Sequence, residues 1–188
     1  MLKLILQSVR HLVLWTVLTG LVYPVVITVI AQLAFAKQAN GSLVERNGKL
    51  VGSALLAQQF TGTNYFWPRP SSDTYGTVPS GASNLGPTSG QQLTNVVNNL
   101  AAFRSGNNLA TNAAVPADMV YASGSGLDPH ISPEAARLQV DRVAAARGLP
   151  AAKVSALVAQ YTEAPQLGFL GEPRVNVLLL NLALDAAR

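Results

Sequence analysis

From Leu12 to Ala36 the chain carries no Lys, Arg, His, Asp or Glu. An uncharged apolar run longer than about 18 residues can cross the hydrocarbon layer of a bilayer as a helix, so this stretch constrains the fold more than any other. The only formal charges among residues 1–36 are Lys3 and Arg10. No later run stays apolar and uncharged over the length of a span, which excludes a polytopic membrane protein. The 152 residues that follow contain 67 apolar ones, enough to bury one core rather than remain disordered.

A basic start before an apolar run also describes a cleaved signal peptide, and Ala34-Phe35-Ala36 offers small residues for cleavage. The apolar part of a signal is about 7 to 15 residues, whereas Leu12 to Phe35 is 24. The expectation is therefore a short tail and one retained span, about residues 12–35, followed by a separate domain over 37–188. Lys3, Arg10 and the amino terminus favour a cytoplasmic N-terminus, against Lys37, Arg46 and Lys49 on the other flank. The two flanks are close to a tie in this count; the expectation is a single-pass protein of the cell (inner) membrane with its large domain outside the cytoplasm.

Within the span, Thr16, Gly20, Pro24, Thr28 and Gln32 recur every four positions. Such a stripe drifts only about 40° per step on a helix of 3.6 residues per turn, and its small residues let another helix approach closely. Pro24 is expected to kink the helix. The plain alternative is a lipid-facing anchor with Gln32 at the interface.

Charge gives no sign of nucleic-acid binding. The 13 Lys and Arg against 9 Asp and Glu leave a net charge of +4, half of it from Lys3 and Arg10, and no basic tract occurs. The absence of cysteine removes disulfides, zinc–thiolate sites and cysteine catalysis together.

From Thr61 to Gly90, 22 of 30 residues are Gly, Pro, Ser, Thr, Asn or Asp, interrupted by Tyr65-Phe66-Trp67 and Tyr75. Loops beyond about 12 to 15 residues are commonly functional, and aromatic residues supply burial that a polar linker lacks. Pro68 and Pro70 fix the backbone on both sides of Arg69 and push Trp67 and Arg69 towards extended geometry. Two readings follow: Trp67, Arg69, Pro70 and Ser71 form a rigid partner interface, or the segment is a stiff turn with Trp67 in the core.

Further along, Ser89 caps a helix over Gln91 to Arg104 with Leu93, Val96, Val97 and Leu100 as its core face. Met119 to Ala122 reads as a short strand. Ser132, Pro133 and Glu134 start a helix that stops at Gly148, Pro150 opens another to about Tyr161, and Val175-Asn176-Val177 leads into a last helix. Helices outnumber strands, so the fold class is α+β with a small sheet.

Few catalytic constellations survive. Asp128, His130 and Ser132 are the residue types of a hydrolase triad, but i, i+2, i+4 neighbours seldom converge, because triads join separate parts of a fold. Gly124-Ser125-Gly126 lacks the third glycine of a dinucleotide fingerprint, Gly48-Lys49 belongs to no phosphate-binding loop, and a lone outer histidine matches no metal-ligand spacing.

Several blocks do form a pattern: Phe66-Trp67-Pro68-Arg69-Pro70-Ser71 with Tyr75, Ser83-Asn84-Leu85-Gly86-Pro87, Val115-Pro116-Ala117-Asp118, Ser123 to Pro133, and Gly171-Glu172-Pro173 with Val175 to Asn181. With the N-terminal span, they make the chain resemble the C subunit family of the Kdp potassium-transporting P-type ATPase. The resemblance implies a hetero-oligomer with a potassium-channel-like pore subunit, a P-type ATPase catalytic subunit, a small single-span subunit and membrane lipid. ATP and potassium would be handled by the complex, with no cofactor bound here directly. It implies an accessory role, either stabilising the assembly or acting as a catalytic chaperone that raises the ATP affinity of the hydrolysing subunit. On this reading Trp67, Arg69, Pro70, Ser71, Asp128, His130 and Ser132 dock on a partner. The alternative is a membrane-anchored extracytoplasmic enzyme using His130.

Overall fold

The structure is a computed structural model that describes residues 1–187. It is mixed helix and sheet and divides into two compact units, Met1–Leu43 and Val44–Arg188.

The first unit is one apolar helical stretch, Leu2–Ala34, 33 residues long, containing an 18-residue window of mean hydropathy 2.2. It is built from α1 (Leu2–Val17), a π-helical turn (Leu18–Val22) and α2 (Tyr23–Ala34), followed by one turn, α3 (Ala36–Ala39). The helix begins ten residues before the expected span because Lys3, Gln7, Ser8, Arg10 and His11 are compatible with a helix although not with hydrocarbon. A π turn, Leu18–Val22, lies just before Pro24, the position at which a kink is expected. Proline has no N–H to donate and its ring crowds the carbonyl four residues back, and a widened turn accommodates both. The Thr19 hydroxyl donates to the Trp15 carbonyl at 2.7 Å. The Gln32 carboxamide pairs with that of Asn40, Asn40 Nδ2 donating to Gln32 Oε1 at 3.2 Å.

The second unit opens on a hairpin, β1 (Leu43–Arg46) and β2 (Lys49–Ser53). Asn47 and Gly48 connect the strands with φ of 52° and 72°, the left-handed pair that a two-residue hairpin turn requires. A long irregular segment then leads to α4 (Gly90–Gly106), whose N-cap Ser89 accepts from the Gln92 N–H at 3.3 Å. A short 3₁₀ turn (Ala117–Met119) stands where a strand was expected over Met119 to Ala122. Next come β3 (His130–Ile131), α5 (Pro133–Arg147), α6 (Ala151–Gln160), β4 (Thr162–Glu163), β5 (Arg174–Asn176) and α7 (Val177–Ala186). The three short strands form an antiparallel sheet in the order β3-β5-β4, with Ile131 opposite Val175 and Thr162 opposite Val175 on the other side. Helix α5 is capped by Ser132 Oγ, which accepts from the Ala135 N–H at 3.1 Å, and it ends at Gly148 in the left-handed region.

The core is Phe66, Phe103, Ile131, Val143, Val154, Val175, Leu180 and Leu184 with the small residues of α5 packed among them. Helix α4 contributes mainly Phe103. The face expected to be buried is covered only in part: Val96 and Leu100 are half-buried, while Leu93 is 66% and Val97 54% exposed. The body buries this helix fully only at Phe103, near its C-terminal end, and half-buries one side further back, where Asn99 Nδ2 donates to the Val120 carbonyl at 2.9 Å.

Candidate functional site

The long irregular segment is held from below by polar side chains on helices that otherwise face the core. Asn181 of α7 accepts from the Phe66 N–H at 2.8 Å and donates to the Phe66 carbonyl at 3.0 Å. Gln139 of α5 does the same for the next residue, accepting from the Trp67 N–H at 2.7 Å and donating to the Trp67 carbonyl at 3.3 Å. The Arg142 guanidinium donates to the carbonyls of Thr63 and Tyr65, to Asn107 Oδ1 and to Gln139 Oε1. It also lies over the Trp67 ring, 4.1 Å from its centroid. Burial brings the Arg142 pKa down to about 10, and the group stays charged at neutral pH. Buried polar groups persist only when their hydrogen bonds are made, and here most of them go to the backbone of a segment with no regular partner strand.

Trp67 is therefore a half-buried part of the body: its indole N–H donates to the Gly62 carbonyl at 3.0 Å and its ring rests on Gly106, where a Cβ would come within 2.3 Å. Pro68, next to it, is buried. Arg69 emerges from this clamp and reaches Asp128, Nη1 to Oδ2 at 2.7 Å. Its Nε is buried and lacks a partner among the described residues. The Tyr75 hydroxyl donates to the Arg69 carbonyl at 2.8 Å, and burial pushes the Tyr75 pKa up to about 12. Ser71 Oγ closes the next turn by accepting from the N–H groups of Asp73 and Tyr75.

Asp128 is the hub of this surface. Its Oδ1 accepts from the His130 N–H at 3.0 Å and lies 3.4 Å from His130 Nδ1. Burial alone would raise the Asp128 carboxyl, but hydrogen bonds from the His130 side chain and backbone, a third from Arg69, and the Arg69 charge bring it down to about 2. Ser132 does not join His130: its hydroxyl donates to Asp118 Oδ1 at 3.2 Å and accepts from the Ala135 N–H, while its own N–H donates to Asp118 Oδ2 at 2.6 Å. The three triad residue types thus form a cap and an ion-pair hub, not a proton relay.

Arg69, Asp118, Asp128, His130 and Ser132 line one open cleft of about 670 Å³, joined by Glu134, Glu172 and Arg174. Pro70 and Ser71 lie on a different, polar cleft of about 610 Å³, and Trp67 on an apolar hollow of about 410 Å³. The residues singled out in sequence are therefore shared between neighbouring surfaces of one loop-rich face. Sequence reasoning gave no part to Gln139, Arg142, Asn107 and Asn181, which hold the loop; the signal was polar residues at i and i+3 on a helix, Gln139 and Arg142, among alanines and valines. Among the described residues no three His, Asp or Glu side chains gather as metal ligands would.

A family model described as "K+-transporting ATPase, c chain" (KdpC) matches residues 5–186. A potassium-transporting ATPase KdpC subunit of Geobacter sulfurreducens is 51% identical over 182 residues, covering 95% of both chains. Its counterpart in Methylococcus capsulatus is 52% identical over 180 residues, 94% of both chains. That of Mycobacterium tuberculosis is 50% identical over 183 residues, 96% of this chain and 97% of the relative. With nearly the whole length matched at half identity, the chain belongs to the KdpC family, the C subunit of the potassium-transporting ATPase.

Proposed function

We propose that this chain is the accessory subunit that assembles and stabilises the potassium-transporting complex, with the Val44–Arg188 body outside the cytoplasm and the Leu12–Phe35 span packed on partner helices. The supporting observation is the engineering of the loop-rich face. Asn181, Gln139 and Arg142 use buried hydrogen bonds to fix a segment that ends in an Arg69–Asp128–His130 cluster open to solvent. A charged surface fixed in advance loses little conformational entropy on docking, and this one is suited to a complementary charged loop on the pore or ATPase subunit.

Stabilisation of the assembly is preferred over a direct effect on ATP affinity, because a body outside the cytoplasm has no access to the nucleotide. Co-expression with the partner subunits and purification through a tag on the pore subunit tests the proposal. Arg69→Ala and Asp128→Ala are expected to lower recovery of the chain at least tenfold. Normal recovery and normal potassium uptake would defeat the docking role. A His130→Ala chain that sustains uptake removes the rival reading of an anchored enzyme.

A further inference from the structure

The first turns of α1 are amphipathic, although they continue directly into the uncharged run. With about 100° between successive residues, Lys3, Gln7, Arg10 and His11 fall within about 100° on one side of the helix. Leu2, Ile5, Leu6, Val9 and Val13 occupy the opposite side, and all of these residues are exposed. Ser8 and His11 find partners in the helix itself: the Ser8 hydroxyl donates to the Leu4 carbonyl at 2.9 Å, and His11 Nδ1 donates to the Gln7 carbonyl at 2.9 Å. Lys3 and Arg10 have no side-chain partner among the described residues. No Asp or Glu stands between Met1 and Val44, so the unit Met1–Leu43 holds no counter-charge of its own.

Helix length sets the depth of this basic side. Leu2–Ala34 is 33 residues, about 50 Å at 1.5 Å per residue. A bilayer offers about 30 Å of hydrocarbon and about 40–45 Å with both headgroup layers, and a modest tilt fits a longer helix to it. The uncharged run from Leu12 onward takes the hydrocarbon, which leaves Arg10 at its boundary with the headgroups. Lys3 stands about 10 Å further along the axis, on a stem long enough to reach back. The apolar side holds these turns against the interface, as in helices that lie at membrane surfaces, and the basic side faces the headgroup layer. Two unpaired cations on one helix side at that depth are complementary to lipid phosphate, and a headgroup with net negative charge neutralises them where a zwitterionic one does not.

We propose that Lys3 and Arg10, with Gln7 between them, form a binding site for the headgroup of an anionic phospholipid at the amino-terminal end of the span. The inference rests on the reading of Leu12–Phe35 as a span, and it needs no other subunit of the complex.

Native mass spectrometry of the full chain in detergent tests it, with phosphatidylglycerol and phosphatidylcholine of the same acyl chains added in equal amounts. Each Lys or Arg at an anionic surface raises affinity about fivefold, so phosphatidylglycerol adducts should exceed phosphatidylcholine adducts at least about fivefold. Lys3→Gln/Arg10→Gln is expected to bring the ratio close to one, and Lys37→Gln, beyond the other end of the span, to leave it unchanged. Lys3→Gln/Ile5→Lys keeps the charge but moves it about 160° round the helix, and should lower the ratio several-fold. A wild-type ratio near one, a ratio that Lys37→Gln lowers as far as the double variant does, or one that Lys3→Gln/Ile5→Lys preserves overturns the lipid site and leaves the span and the assembly role standing. A chain that binds neither lipid and stays in solution without detergent overturns the span as well.

Discussion

The carboxamide of Asn181 is bonded to both backbone groups of Phe66, its Oδ1 accepting at 2.8 Å and its Nδ2 donating at 3.0 Å across 115 residues of sequence. Asn181 is 1% and Phe66 0% exposed, so this contact substitutes for a strand partner inside the core. Asn181→Leu fills similar volume but strands one buried donor and one buried acceptor, each worth about 1–3 kcal/mol. The expected loss is about 2–5 kcal/mol in urea unfolding of the detergent-solubilised chain. A loss under about 1 kcal/mol would mean that water enters and replaces the bonds.

Gly106 allows the Trp67 ring to sit against α4, since a Cβ there would approach ring carbon Cη2 to 2.3 Å. Gly106→Ala must displace the ring, and overpacking of this kind lowers stability by about 1–3 kcal/mol. In a Trp15→Phe background, which leaves Trp67 as the single tryptophan, its emission should move to the red. An unchanged spectrum would show that the helix yields instead.

The depressed Asp128 carboxyl sets an acid limit. Its folded pKa of about 2 lies below the ordinary 3.8, so the unfolded chain binds the proton more tightly. The stabilisation is fully present above pH 4 or so and is lost as pH falls towards 2, amounting to at most about 2 kcal/mol for a side chain 30% exposed. Unfolding midpoints of wild type and Asp128→Asn should differ at pH 6, draw together as pH falls from about 4, and meet only below about pH 2. A constant difference across that range would assign the effect to packing.

Gly20 separates the two readings of the membrane stripe. A Cβ at this position meets nothing within 4 Å, so Gly20→Leu is sterically harmless to the isolated helix and favours helical geometry. If Thr16, Gly20, Pro24, Thr28 and Gln32 pack on partner helices, the substitution should lower co-purification several-fold while expression and insertion are unchanged. Recovery equal to wild type would return the stripe to lipid.

Much of this architecture follows from local signals. The uncharged run, the Ser132 cap with Pro133 and the Gly148 stop each act within one turn of chain, where a residue's own chemistry decides the backbone. Face assignment was less secure. The Leu93, Val96, Val97 and Leu100 periodicity is real, but which of these residues are covered depends on how the body lies along α4: it half-buries Val96 and Leu100 and leaves Leu93 and Val97 exposed. The chemical types at Asp128, His130 and Ser132 were equally visible, yet their partners were not: Arg69 is 59 residues from Asp128 and Asp118 is 14 from Ser132.

The sequence by itself determined one apolar helix, an α+β body, a stiff Pro68–Pro70 segment and membership of a subunit family, because these rest on composition, short-range sterics and ordered motifs. Only the tertiary structure decided that Trp67 turns inward under Arg142 while Arg69 turns out to Asp128. Buried hydrogen bonds from Gln139, Arg142 and Asn181 make that choice. They join residues 72 to 115 positions apart, a distance over which no local pattern carries information.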